Sequence, residues 1–186
     1  SKPKGRMNGQ PHPMSRRVLT VALLLAANVF GCATPRTAGL SQPTWNVCFS
    51  PRGGCTDLVV NTLTQAKSTV LVQAYSFTSQ PIAQTLVDAH QRGVKVEVVL
   101  DDGQRTAQGS KASFVAQAGV PVYFDGAHAI AHNKVMVVDT ETVITGSFNF
   151  TESAEERNAE NLLVIRDKAL AERYQQNWQK HKAHST

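Results

Sequence analysis

From Trp45 to His181 the chain alternates β-branched runs with segments of helical period, and this alternation narrows the fold more than any other feature. The runs 45–50, 68–77, 94–102, 120–125 and 160–167 read as strands. Between them, 55–67, 81–93, 110–119 and 168–182 place apolar residues at helical spacing. Pro81 opens one of these helices, and Gly93 and Gly119 follow the ends of two. Thr56 is the expected N-cap of the first. Two further runs, 133–139 and 142–150, are joined by a short turn at Thr140–Glu141 and add an antiparallel hairpin. The pattern predicts an α/β fold: a mixed, largely parallel β-sheet with helices on both faces, one domain per chain. The 186 residues suffice for one sizeable core and are too few for two ordinary domains.

The first 44 residues stand apart. Residues 1–13 are expected to be an upstream extension before Met14. Residues 14–33 have the anatomy of a bacterial export signal: Arg16 and Arg17, an apolar run from Val18 to Phe30, then small residues. That run falls short of the roughly 20 apolar residues that span a bilayer. "VFGC" resembles a lipoprotein signal with Cys32 as the lipidated residue, which would anchor the chain to a membrane. Cleavage after Ala33 is the rival reading. Both export the protein, to the periplasm or as an outer-membrane lipoprotein. Residues 34–44 are expected to form a linker, and 45–184 the folded domain.

Charge follows the same division. The chain carries a formal net charge of +5, with 19 Lys and Arg against 14 Asp and Glu. Six of the basic residues lie in 1–36, which holds no acid. The domain is therefore close to neutral, and bulk charge alone does not point to a nucleic-acid partner. Cys48 and Cys55 remain as an even pair once Cys32 is set aside. An exported protein can join them as a disulfide; two buried thiols are the alternative.

The hairpin holds more polar residues than a core strand tolerates. His132 and Lys134 lie two apart, as do Ser147 and Asn149, and on extended chain such pairs project to the same side. The turn brings the start of one strand beside the end of the other, so the four converge. Gly146 removes a side chain at that point. Lysine, asparagine and serine suit phosphate oxygens. A histidine among them can serve as nucleophile or general acid. Glu160 opens the next strand, where its carboxylate could orient the imidazole. This cluster has no metal-ligand spacing, and no cofactor is expected. His128 could gate the pocket or sit in solvent as an ordinary loop histidine. Arg105 could meet a substrate phosphate or be solvated.

"HNKVMVVD" followed by "GSFNF" fits H-x-K-x(4)-D-x(6)-G-S-x-N. It resembles the signature of the phospholipase D superfamily, and the likeness extends from about Trp45 to His181. The chain is most similar to the small bacterial endonuclease branch, which carries one motif per chain. The resemblance implies a phospholipase D-like fold and a metal-independent phosphodiesterase. One histidine attacks phosphorus and a second protonates the leaving oxygen. With one motif per chain, the site would be shared by a homodimer. His132 would be the nucleophile or acid, Lys134 and Asn149 would hold phosphate oxygens, and Ser147 would donate to phosphate or to opposing side chains. Glu160 would orient His132, and Asp139 and Gly146 would be structural. Nucleic acid, DNA or RNA, is the leading substrate reading. Phospholipid head groups are the alternative, and a non-catalytic phosphate-binding module is a third.

Overall fold

The β-branched runs form seven strands of one mixed sheet in the order β1-β7-β6-β5-β2-β3-β4. The computed structural model describes residues 44–186; the stretch expected to be an export signal, Cys32 and the expected linker up to residue 43 lie outside the described residues. The strands are β1 (Thr44–Ser50), β2 (Thr69–Ala74), β3 (Lys95–Asp101), β4 (Val122–Asp125), β5 (Lys134–Val138), β6 (Thr142–Gly146) and β7 (Glu160–Arg166). The helices are α1 (Cys55–Thr64), α2 (Gln80–Gln91), α3 (Ala112–Gln117), α4 (Glu152–Glu156) and α5 (Lys168–His184). The sheet is mixed, as the alternation predicts, but its parallel share is smaller. Only β2–β3 and β3–β4 are parallel. The reason lies in β1, which pairs antiparallel with β7 and so takes no part in a parallel crossover to β2.

Each strand is pinned by which of its faces is apolar. Met136, Val138, Ile144, Leu162 and Val164 join one core layer, together with Val59 and Leu63 of α1 and Ile82, Ala83 and Leu86 of α2. Leu71, Val99, Val135, Val137 and Val143 face the other way and pack on Ala171 and Trp178 of α5. A one-residue slip would exchange the two sets, which fixes the register. Each fully buried aliphatic or aromatic side chain contributes about 1.5–3 kcal/mol. The α5 layer is further tied by the Trp178 indole N–H, which donates to the Val72 carbonyl at 2.7 Å. Asp167 caps α5 by accepting from Leu170 N at 3.0 Å.

At the β1 edge this cover runs out. Trp45, Val47 and Phe49 project together and remain exposed. Cys48 and Ser50, of opposite parity, are buried. Cys48 is joined to Cys55 by a disulfide, with Cα atoms 5.5 Å apart, which ties β1 to the first turn of α1. Of the two sequence readings of this pair, the structure contains the bonded one. No described helix is long and apolar enough to cross a membrane.

Asp139 holds the far end of the hairpin. It lies in the β5–β6 turn at φ 53°, a conformation that Asp tolerates better than most residues. Its carboxylate accepts from Lys67 N (2.9 Å), Ser68 N (2.7 Å), Thr69 N (3.0 Å) and the Ser68 hydroxyl (2.8 Å). The charge therefore stitches the turn to the start of β2. Burial by itself would raise the Asp139 pKa. Donation from Thr69, Ser68 and Lys67 outweighs it and holds the carboxyl below its ordinary value.

At the near end, β6 stops at Gly146, short of the predicted 150. Ser147 N and Phe148 N both donate to the Asn161 carbonyl, at 3.1 and 3.2 Å, so the chain turns out of the ladder there. A Cβ on Gly146 would lie 2.3 Å from that same oxygen. Phe148 and Phe150 then plug the core, and Phe150 forms a bridge with Phe77. Thr151 caps the short helix α4, an element that the sequence reading omits.

Two outcomes follow. Asp139→Asn removes one carboxylate acceptor and lowers stability at neutral pH by about 1–2 kcal/mol. That is a drop of roughly 3–6 °C in thermal midpoint. Because the folded pKa is depressed, the contribution is present above the ordinary carboxylate value near ~3.9 and is lost as pH falls through the folded value. Thermal melts of wild type and variant should therefore converge in acid; a gap that persisted at low pH would refute the charge argument. Gly146→Ala should cost about 1–3 kcal/mol by forcing β6 from β7. Amide exchange at Ser147 and Phe148 should accelerate, and protection equal to wild type would show that the close approach is not needed.

Candidate active site

The signature residues sit where β5 begins and β6 ends. The register Val135↔Thr145 sets these two ends side by side, as the spacing predicts. Lys134, the first residue of β5, is buried, with 8% of its surface exposed. Its ammonium donates to the His132 carbonyl at 2.8 Å and lies 5.1 Å from the centre of the Tyr75 ring. Burial pushes the Lys134 pKa down, while the Glu160 carboxylate opposes the shift. Lys134 is thus a cation taken partly out of water and left with few partners. It attracts an incoming anion more strongly than a solvated lysine would.

His132 is exposed, and its ring lies 4.4 Å from that of Tyr75, centre to centre. The loop that delivers it is held from below. Ala131 N donates to the Asp101 carboxylate at 2.7 Å, and Tyr75 N donates to the Asn133 carbonyl at 2.8 Å. The Gln73 amide meets Asn133 Oδ1 at 3.1 Å. Tyr75, Gln73 and Asp101 were missed by the sequence reading. Their signal was position alone: each lies at or near the end of a strand adjoining β5 or its entry loop.

Ser147 and Asn149 leave the ladder on the side opposite Phe148 and Phe150. The Ser147 oxygen accepts from Asn161 N at 3.1 Å, which fixes the side chain and leaves its hydrogen free to donate. Asn149 Oδ1 is shielded from solvent and has no hydrogen-bond partner among the described residues. A buried, unpaired amide oxygen is costly, so its orientation suits a site that acquires a donor on binding.

Glu160 opens β7. Its carboxylate accepts from the Asn158 amide at 3.1 Å, and its charge acts on Lys134. Its backbone N–H donates to Ser50 Oγ. It sits on β7, with β6 between it and β5, and within one chain its partners are these rather than the His132 ring. Arg105 is occupied by Asp102 at 2.7 Å and lies over the Phe124 ring. His128 contacts Asp125 rather than the signature cluster.

This arrangement offers one accessible imidazole, one desolvated ammonium and neutral polar groups around a single spot. It can bind a phosphate and present a nitrogen nucleophile to it.

Comparison with known proteins agrees with this chemistry. Residues 59–182 match the family described as "Cardiolipin synthase, PLD-like domain". A phospholipase D of Rickettsia typhi is 44% identical over 144 residues, covering 77% of this chain and 71% of its own. A mitochondrial cardiolipin hydrolase of Xenopus tropicalis is 33% identical over 118 residues, 63% of this chain and 56% of that protein. Among solved structures, the phospholipase D family member Nuc from Salmonella typhimurium superposes with a TM-score of 0.75. It shares 39% identity and covers 78% of this chain and 97% of its own. The chain belongs to the phospholipase D superfamily, and it is a phosphodiester hydrolase.

Proposed function

We propose that the protein is an exported, metal-independent endonuclease that cuts DNA or RNA through a phosphohistidine at a site shared by two copies of the chain. The observation that carries this is the single exposed His132 beside the single buried Lys134. It is half of what the reaction requires. An imidazole nitrogen attacks phosphorus, the bond to the leaving oxygen breaks, and that oxygen needs a proton which the attacking ring cannot supply. The partner subunit's His132 supplies it, then takes a proton from water as water displaces the first histidine. Lys134 and Asn149 stabilise the charge on the phosphoryl oxygens. Ser147 donates to them, and the Glu160 carboxylate opposes the downward shift that burial imposes on Lys134. No step draws on a metal.

The exposed row Trp45, Val47 and Phe49 gives a second copy an apolar surface, and Phe49 pairs with Asn161, next to Ser147. Two-fold association would use the same patch on both copies. An exposed His132 with no described segment across it favours a polymer, which can lie along an open surface. Phospholipid head groups are the second reading. The Trp45–Phe49 row suits a lipid surface, and the Rickettsia relatives are named phospholipase D. The leader supports export, with Cys32 as the point of a lipid anchor.

Supercoiled plasmid, RNA and phosphatidylcholine should be assayed in parallel with EDTA present. Nicking of plasmid or RNA is expected, reduced by more than about 10³-fold in His132→Ala. Choline release without nicking would replace the nuclease by the lipase. Activity per chain should fall on dilution as dimers dissociate in sedimentation, and an active monomer would refute the shared site.

A further inference from the structure

The structure gathers three of the chain's six histidines around one buried carboxylate, away from the residues assigned to hydrolysis. Asp125 ends β4 and its side chain is wholly buried. His128 follows three residues later in the loop, while His181 and His184 lie one turn apart on the last turn of α5. His128 Nδ1 stands 3.1 Å from both Asp125 oxygens, His181 Nδ1 2.6 Å from Oδ2, and His184 Nε2 3.3 Å from Oδ1. One ligand atom from each of the four residues lies within 4.8 Å of all the others.

We propose that Asp125, His128, His181 and His184 form a structural site for a divalent transition metal, Zn²⁺ foremost. The donor set is three imidazole nitrogens and one carboxylate oxygen, borderline ligands that favour zinc over magnesium or calcium. Four protein ligands fill a tetrahedral shell, which makes the site structural rather than catalytic. Bond lengths of about 2.0–2.1 Å set ligand atoms about 3.3–3.4 Å apart, within the spread already present.

Two features separate this site from a chance cluster. First, its halves are brought together without help from an ion. Thr186 and Phe124 exchange both backbone hydrogen bonds, at 2.9 and 3.1 Å, which clamps the segment after α5 to β4 beside Asp125. Ala127 N donates to the Asp125 carboxylate at 3.1 Å and orients it, as groups behind a metal ligand do. Second, the rings are crowded, with centres 4.9–5.4 Å apart. Three protonated imidazoles so close would repel one another. A single ion accepts all three neutral nitrogens and offsets the buried carboxylate. Bound metal would also anchor the loop that runs from His128 to His132.

The test uses the intact chain without a histidine tag, stripped by chelator and dialysed metal-free. Titration with ZnCl₂ should saturate at one ion per chain and raise the thermal midpoint. Co²⁺ should give the absorption of a tetrahedral complex and be displaced by Zn²⁺. His181→Gln/His184→Gln should weaken binding roughly 100-fold or more. The single change His184→Gln, at an exposed helix end, should weaken it with the fold intact by circular dichroism. His90→Gln on α2 serves as the control and should bind as wild type does. A folded chain that takes up no stoichiometric zinc would overturn the proposal. So would an octahedral Co²⁺ spectrum, or binding unchanged by the α5 substitutions. The readout is metal uptake, so it stands or falls apart from the nuclease reading.

Discussion

The Asn161 carbonyl accepts two hydrogen bonds, from Ser147 N and Phe148 N, and the shape of the active site depends on that double acceptance. It is possible only because residue 146 has no Cβ to occupy the space. The forked bond ends β6, turns the chain, and sends Phe148 and Phe150 into the core while Ser147 and Asn149 face away. A regular strand through residue 150 would keep the alternation but not the turn. The two buried phenylalanines then lock in place the polar residues between and beside them.

The site is held by means that oppose its own stability. Lys134 is buried with one backbone acceptor and a distant carboxylate, and Asn149 Oδ1 is buried with no partner. Each costs free energy in the unliganded chain; a phosphate would pair with the Lys134 ammonium, whereas Asn149 Oδ1 needs a hydrogen-bond donor. The surrounding core compensates. The hairpin is fixed at its far end by the Asp139 carboxylate and on one side by the Cys48–Cys55 link through β1 and β7. The active end can therefore carry unsatisfied groups without fraying.

Much of the fold was legible because its determinants are local. The period of apolar residues placed all seven strands, and Pro81 and Gly93 bracketed α2 to within a residue or two. Errors fell where a contact distant in sequence decides the outcome. The end of β6 depends on Asn161, fifteen residues beyond Gly146. The small parallel share depends on β1 choosing β7, more than a hundred residues away. Within the single chain, strand order sets Glu160 beside Asn158 and Lys134.

The sequence by itself determined the candidate hydrolytic site. His132 with Lys134, and Ser147 with Asn149, are pairs at i and i+2 on neighbouring strands, and pleat geometry with one short turn brings them together. Only the tertiary structure decided what surrounds them. Tyr75 reaches His132 because β2 pairs with β5. Asp125 and His181 meet because α5 crosses the sheet and the chain end pairs with β4. Such meetings depend on the path of the whole backbone, and no periodicity within a window of the sequence records that path.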